Sequence, residues 1–146
     1  MSRRFTLVEA QRLIPELDLL LRHAISAKAE YQEAVQAIQE TSQRITMMGG
    51  TAINRDHAID ARDRRDDDAN SLRTAIEKVQ EVGCLVKDLD VGLVDFPTLY
   101  RGQEVCLCWK LGEKTIDFWH GMDEGVRGRK AIDQDFLDHH QGDRAQ

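Results

Sequence analysis

The chain has 146 residues, of which 32% are charged and 41% hydrophobic, and its formal net charge is -6 at pH 7. These values are typical of one folded domain rather than a disordered chain. The acidic balance argues against a nucleic-acid partner, because contacts with phosphates need a basic surface. The start lacks the apolar segment of a secretory signal, and no apolar run is long enough to suggest a membrane partner. Three cysteines without the spacing of a disulfide framework indicate a cytoplasmic protein.

The N-terminal segment carries the signature of a helix start. Thr6 can accept a hydrogen bond from a free backbone N–H group, and Glu9 three residues later can reach back, which is the capping-box arrangement. Pro15 follows inside the helical pattern, where it lacks an N–H group and clashes with the preceding turn. We therefore expect either a kink or a short first helix, with a long helix that starts again near Pro15.

A regular apolar repeat predicts two long helices. A spacing of alternately four and three residues, interrupted by Thr41, indicates a heptad seam on a helix of about 30 residues. Its members are Leu13, Leu17, Leu20, Ala24, Ala27, Tyr31, Ala34, Ile38 and Ile45. A second apolar series predicts a helix over 57–82, formed by Ala69, Leu72, Ile76, Val79 and Val82. The segment Met47–Thr51 contains two glycines and suits a hairpin tip.

The first helix carries more apolar residues than one seam uses. Leu19, Leu21, Ile25 and Val35 lie outside the seam and widen its stripe. Because two helices alone bury little surface, we expect a second copy to cover the surplus and the protein to form a homodimer through its helical arm. The alternative is that the β region covers it. Binding of a different protein is a further possibility that the sequence leaves open.

The second half predicts a small antiparallel sheet. Gly83 suits a left-handed helix cap, and strands are predicted at 84–89, 105–109 and 115–120. A two-residue turn centred on Gly112-Glu113 would pair Trp109 with Ile116. The same register pairs Leu107 with Phe118 and Val105 with His120, and it assigns these six side chains to the core face.

Several strings in this chain resemble a known family. The strings VKDLDVGLVDFP, VCLCWKLGE and FWH follow an N-terminal FTLVEAQRLIPEL and a long helical segment. In this order they are similar to a bacterial family of small proteins known only as a domain of unknown function, over about residues 5–130. The resemblance implies a cytoplasmic prokaryotic protein without an assigned activity, and it supplies no catalytic residues.

Acidic residues surround a predicted turn at Val91-Gly92. Asp88, Asp90 and Asp95 could bind a hard cation or act as acid and base. Alternatively, they cap the turn and pair with neighbours such as Lys87.

Five further residues are candidate ligand-binding residues. His120 ends a strand and could be a general base or a metal ligand, or it could pack with one hydrogen bond. The side chain of Glu113, in the predicted turn, could reach a binding site at the strand ends, or it could stay solvated. Arg127 and Arg129 could bind an anion, or they could pair with acidic neighbours. Trp119, on the face opposite the core, could stack on a ligand or contact a partner.

The two nearby cysteines are not expected to bind zinc. The β-carbons of Cys106 and Cys108 would stand about 7 Å apart on one strand face, and no second Cys or His pair has ligand spacing. They are better explained as buried free thiols. No phosphate loop, nucleotide fingerprint or nucleophile elbow is present, which removes the common enzyme classes without excluding an enzyme. We assign no catalytic residue and no metal, and the cofactor is unknown.

Together the patterns predict an α+β fold in which a long antiparallel, coiled-coil-like helical hairpin carries a small antiparallel β-subdomain. We expect a single domain over 1–146, with the hairpin at 5–83, the β-subdomain at 84–132 and a flexible tail at 133–146. The favoured function is a self-associating interaction or scaffold module. The alternative is a small-molecule- or metal-binding catalytic module that uses the acidic and histidine cluster at the rim of the β-subdomain.

Overall fold

The structure is a computed structural model, and it describes residues 3–47 and 55–143. The chain divides into two compact units. The first unit comprises the residues up to Arg22 and those from Lys78 onward, and the second unit is His23–Glu77. The predicted hairpin tip lies, from Met48 on, outside the described residues. No helix in the described part of the chain is long and apolar enough to cross a membrane.

The first helix, α1 (Leu7–Met47), runs for 41 residues with Pro15 inside it. The alternative of a short first helix that restarts near Pro15 is therefore wrong. A proline removes only one helical hydrogen bond, while the apolar seam continues on both sides of it. The capping box is confirmed, because the Glu9 N–H donates to Thr6 Oγ1 at 3.1 Å and the Thr6 N–H donates to Glu9 Oε1 at 2.9 Å. Hydrogen bonding from the Thr6 backbone lowers the pKa of Glu9 below its ordinary value.

The second unit is a helical hairpin with a small core. The second helix, α2, spans Arg55–Glu81 and ends before Gly83, whose φ of 102° confirms the left-handed cap. Within the described part of the His23–Glu77 unit, every buried side chain is an alanine: Ala24, Ala27, Ala34 and Ala75. The larger apolar side chains of the seam are only half-buried: Tyr31, Ile38, Ile45, Leu72 and Ile76.

The first unit contains an antiparallel sheet, which confirms the α+β fold. Its path is β1-β2-β3-β4-β5, and β6 pairs with β2. The strands are β1 (Leu85–Asp88), β2 (Leu93–Tyr100), β3 (Gln103–Lys110), β4 (Phe118–Gly121), β5 (Lys130–Ala131) and β6 (His140–Gln141). Five consecutive residues of β3, 105–109, are buried, so both faces of the sheet centre are covered.

The strand β2 was not predicted, because Asp95 and Pro97 interrupt its apolar pattern. A proline cannot donate to a strand partner and is usually confined to an edge. Here β1 pairs with β2 only as far as Asp95, and the pairing of β2 with β6 begins at Leu99. Between them, the Phe5 N–H donates to the Pro97 carbonyl at 2.7 Å. Pro97 therefore sits in a gap between two partners, where no donor is needed.

The predicted register of the hairpin between β3 and β4 is wrong by one residue. The structure pairs Cys106 with His120, Leu107 with Trp119, and Cys108 with Phe118. The Glu113 N–H donates to the Lys110 carbonyl at 3.0 Å, and Gly112 has φ 101°, so glycine takes the third position of the turn, as in a type II turn. The loop then continues to residue 117 before β4 begins. His120 therefore leaves the predicted core face and lies on the same face as the two cysteines.

Residues 133–143 pack onto the sheet, although their polar composition predicted a flexible tail. Asp133 caps the short helix α3 (Gln134–His139), and its Oδ1 accepts the Phe136 N–H at 2.9 Å. The Phe136 ring is fully buried. Its centroid lies 4.8 Å from that of Tyr100 and 5.2 Å from that of Trp119. One aromatic side chain thus anchors the C-terminal segment.

A substitution at Gly92 tests the turn between β1 and β2. Gly92 has φ 69°, and a Cβ atom there would lie 2.5 Å from the Cβ of Leu111. We expect Gly92→Ala to lower the free energy of unfolding by about 2–3 kcal/mol, because strain and a backbone-fixed clash add. Gly102→Ala is the matched control, since its φ is 82° but nothing lies within 4 Å. Urea unfolding followed by tryptophan fluorescence measures both, and equal losses would contradict the packing at Gly92.

Neighbouring residues of α3 test the anchoring of the C-terminal segment. Phe136→Ala removes a fully buried ring and should cost about 3–5 kcal/mol of unfolding free energy. Leu137→Ala, at a side chain that is 41% exposed, should cost less than about 1 kcal/mol. Trp119 fluorescence reports on this cluster directly. A small effect of both substitutions would show that the segment does not pack as described.

Candidate functional site

Three neighbouring strands bring a polar cluster into the interior of the sheet. Asp95 of β2 pairs with Cys108 of β3, and Cys106 of β3 pairs with His120 of β4. Because side chains alternate along a strand, these four residues share one face. Val94, Phe96, Leu107 and Trp109 occupy the other face, where the Phe96 ring meets the Phe5 ring edge-on at 5.2 Å.

Asp95 and His120 form a buried pair. The two residues are 0% and 3% exposed, and His120 Nε2 lies 2.9 Å from Asp95 Oδ1. His120 Nδ1 lies 2.7 Å from the Gly121 carbonyl oxygen, which can only accept, so Nδ1 carries a proton. The second carboxylate oxygen, Asp95 Oδ2, is buried and has no hydrogen-bond partner among the described residues. A buried polar atom without a partner is rare in folded proteins.

The cysteines of this face are buried thiols. Burial raises the pKa of Cys106 to about 12, and it also raises that of Cys108. Cys106 Sγ lies 3.3 Å from the sulfur of Met122, a residue that is 46% exposed. Both ring nitrogens of His120 are engaged, by Asp95 and by the Gly121 carbonyl. The arrangement therefore lacks the base that would turn Cys106 into a nucleophile.

A second charged pair lies beside this face. Arg129 donates from Nη2 and Nη1 to the two carboxylate oxygens of Glu113 at 2.7 and 3.0 Å, and its Nε donates to Cys108 Sγ at 3.3 Å. Burial works to raise the pKa of Glu113, but hydrogen bonds from Arg129 and the Lys110 backbone lower it below its ordinary value overall. Hydrogen bonding to Glu113 raises the pKa of Arg129. Arg129 also lies 4.5 Å above the Phe118 ring.

The remaining predicted residues lie elsewhere. Asp88 ends β1 and Asp90 lies in the turn that follows; both are exposed, and Asp88 Oδ1 accepts the Asp90 N–H at 3.0 Å. Arg127 is exposed in the short 3₁₀ helix Val126–Gly128. Trp119 packs in the aromatic cluster with Phe136, and Lys130 lies 4.8 Å from its ring centroid. The structure thus brings Asp95 to His120 and Glu113 to Arg129, and it does not gather all eight residues at one point.

Cys106 and Met122 are the members of the site that the sequence did not single out. Cys106 was considered only together with Cys108, and the pair was rejected as zinc ligands and explained as buried free thiols. In the structure its relevant neighbours come from other strands, Asp95 and His120, within 4.8 Å between ligand atoms. The signal in the sequence was the segment Leu93–Tyr100, in which Asp95 alternates with the apolar residues Val94 and Phe96. If this segment had been predicted as a strand beside β3, the Asp95 carboxylate would have been placed on the face of the cysteines.

Comparisons with known proteins identify the family and no more. No curated protein matches the chain, and no solved structure matches it. The family model described as an uncharacterized conserved protein (DUF2203) matches residues 3–132, which is most of the chain. The chain therefore belongs to this uncharacterized family, DUF2203.

Proposed function

We propose that the protein is a self-associating interaction module whose helical arm, the His23–Glu77 unit, pairs with the arm of a second copy. The supporting observation is the alanine core of this unit. The buried residues of its described part are Ala24, Ala27, Ala34 and Ala75 alone. An alanine carries a single methyl group, so its burial contributes little compared with a leucine or isoleucine. A helical pair with so small a core depends on further packing for its stability.

The residues that could provide this packing are half-buried. Ile25 and Val35 were expected to widen the apolar stripe, and both remain partly exposed in the arm. Leu19 and Leu21, which were expected to widen the same stripe, lie in the other unit; Leu21 is fully buried and Leu19 is 71% exposed. Between the two helices, Ala34, Ala37 and Ala61 help to line a groove of about 220 Å³. A neighbouring arm could cover the half-buried side chains and place side chains in this groove.

The charge pattern of α2 favours a second copy of this chain as the partner that packs against the arm. Arg62, Arg64 and Arg65 are followed at once by Asp66, Asp67 and Asp68. A positive run next to a negative run complements itself when two copies cross antiparallel about a two-fold axis. Such an isologous contact would produce a homodimer with coiled-coil packing between the arms. Within one chain, Arg64 and Asp68 lie only 3.8 Å apart at the surface, a pair of small energetic value.

A second candidate function is ligand binding at the sheet, and its support is the buried cluster around Asp95 and His120. A cytoplasmic, bacterial setting is also part of the proposal. The cytoplasmic part is supported by Cys84, Cys106 and Cys108, which are all free and buried, as expected in a reducing compartment. The bacterial part rests on the resemblance of the sequence strings alone.

Self-association can be tested by sedimentation equilibrium at low micromolar concentration. The wild type should sediment as a dimer. Val35→Lys should weaken the dimer at least about tenfold, because each subunit loses an apolar contact and gains a charge to desolvate. Gln32→Lys, at an exposed position on the same helix, is the matched control and should leave the dimer unchanged.

Circular dichroism separates loss of association from loss of folding. Val35→Lys should retain the helical signal of the wild type while it dissociates. A wild type that sediments as a monomer would overturn the proposal, and so would a Val35→Lys variant that associates as strongly as Gln32→Lys.

A further inference from the structure

We propose that Asp95, Cys106 and His120 bind one divalent transition-metal ion of the zinc class. This inference is independent of self-association, and it changes the expectation that the cysteines bind no metal. That expectation considered Cys106 with Cys108, whereas the structure joins Cys106 to residues of two other strands. The ligand atoms of the three residues all lie within 4.8 Å of one another. In a tetrahedral zinc site, neighbouring ligand atoms are about 3.3–3.6 Å apart, so side-chain shifts of about an ångström would complete the centre.

The proton count at His120 is the first argument. Its Nδ1–H donates to the Gly121 carbonyl, so in the neutral ring the lone pair of Nε2 points at Asp95 Oδ1, 2.9 Å away. Two acceptors at this distance repel each other. The contact is stable only if a proton or a metal ion lies between them. A backbone carbonyl that accepts the other ring N–H is also the usual arrangement around a metal-binding histidine, because it fixes the tautomer.

The second argument is the unpaired oxygen of Asp95. Asp95 is 0% exposed, and its Oδ2 has no hydrogen-bond partner among the described residues. A proton shared with His120 through Oδ1 leaves this atom unsatisfied, at a cost of about 1–3 kcal/mol. A cation coordinated by the carboxylate would remove that cost. The orphaned atom therefore points to a missing ligand rather than to a complete hydrogen-bonded pair.

Charge balance selects a divalent ion. Without metal, the cluster holds one carboxylate, one proton shared between Asp95 and His120, and the neutral thiol of Cys106, so its net charge is zero. When a divalent ion binds, the shared proton and the thiol proton leave, and Asp95 and Cys106 each contribute one negative charge. The net charge is again zero, as a buried site requires. A monovalent ion with the same proton loss would leave an uncompensated negative charge.

The ligand chemistry narrows the ion further. Imidazole nitrogen and thiolate sulfur suit zinc and related transition metals, whereas magnesium and calcium prefer oxygen ligands. Three protein ligands leave a fourth position, as in zinc sites that act on a ligand or substrate. The Met122 sulfur is 3.3 Å from Cys106 Sγ, and Met122 is 46% exposed, so this side chain lies between Cys106 and solvent.

The experiment uses the full chain and Co²⁺ as a spectroscopic substitute for Zn²⁺. Titration of the reduced protein should give one bound ion per chain, with the charge-transfer absorption of a cobalt–cysteinate bond. Cys106→Ser should abolish this band, and His120→Gln should weaken binding at least about tenfold. Cys108→Ser is the matched control, because Cys108 is equally buried on the same strand face but its sulfur lies under Arg129. It should retain the band.

Proton release provides a second, independent readout. Each ion bound in weak buffer should release two protons, which a pH indicator in the same titration counts. Wild-type protein that binds neither Co²⁺ nor Zn²⁺ would overturn the inference. So would a charge-transfer band that survives in Cys106→Ser, or a band lost equally in Cys108→Ser. Near-ultraviolet circular dichroism of Trp109 and Trp119 verifies that each variant is folded.

Discussion

The contact between Asp95 and His120 constrains the arrangement of the whole sheet. A carboxylate that is fully buried at the centre of a sheet must meet a proton or a cation, and removing its partner would cost about 3–5 kcal/mol. That requirement fixes two registers at once, because Asp95 lies on β2 and His120 on β4, with β3 between them. A slip of one residue in either pairing would move one member to the opposite face, among Phe96, Leu107 and Trp109.

Local signals in the sequence predicted the helices well. The capping box of Thr6 and Glu9, the cap at Gly83 and the heptad spacing all depend on neighbours within a few residues, and the structure confirms the helix ends that they mark. The sheet was harder to predict for the same reason. The strand β2 is recognisable only when Phe5, β1 and β6 are known to share its edge, since its proline is tolerated only in the gap between them.

The candidate site shows the same division between local and long-range information. The sequence singled out Asp95 and His120 by their residue types, but it could not show that they meet, because the predicted hairpin loop was too short. The segment between residues 111 and 117 forms a turn and then an extended loop. That loop is held by Gln11, whose side-chain oxygen accepts the Ile116 N–H at 2.9 Å. A helix residue about a hundred positions away thus helps to set the register that creates the site.

The C-terminal segment illustrates how one long-range contact can override composition. Its residues are mostly polar, yet Phe136 is buried, and the His140 side chain accepts a hydrogen bond from the first residue of α1. His140 Nδ1 faces the Phe136 carbonyl at 3.0 Å, which leaves Nε2 to accept the Leu7 N–H, also at 3.0 Å. The first free N–H group of the long helix is therefore satisfied by a side chain from the other end of the chain.

The two cysteines of β3 differ because of their cross-strand neighbours, although their sequence positions look equivalent. Cys108 meets Arg129, whose guanidinium group is held by Glu113, so a cation already stabilises electron density at that sulfur. Cys106 meets His120 and Met122, and neither carries a fixed positive charge beside its sulfur. Of the two thiols, only Cys106 would gain a cationic partner from a bound metal ion. The Arg129–Glu113 pair thereby contributes to the chemistry of the site, since it occupies the sulfur of Cys108 and leaves that of Cys106 within 4.8 Å of the ligand atoms of Asp95 and His120.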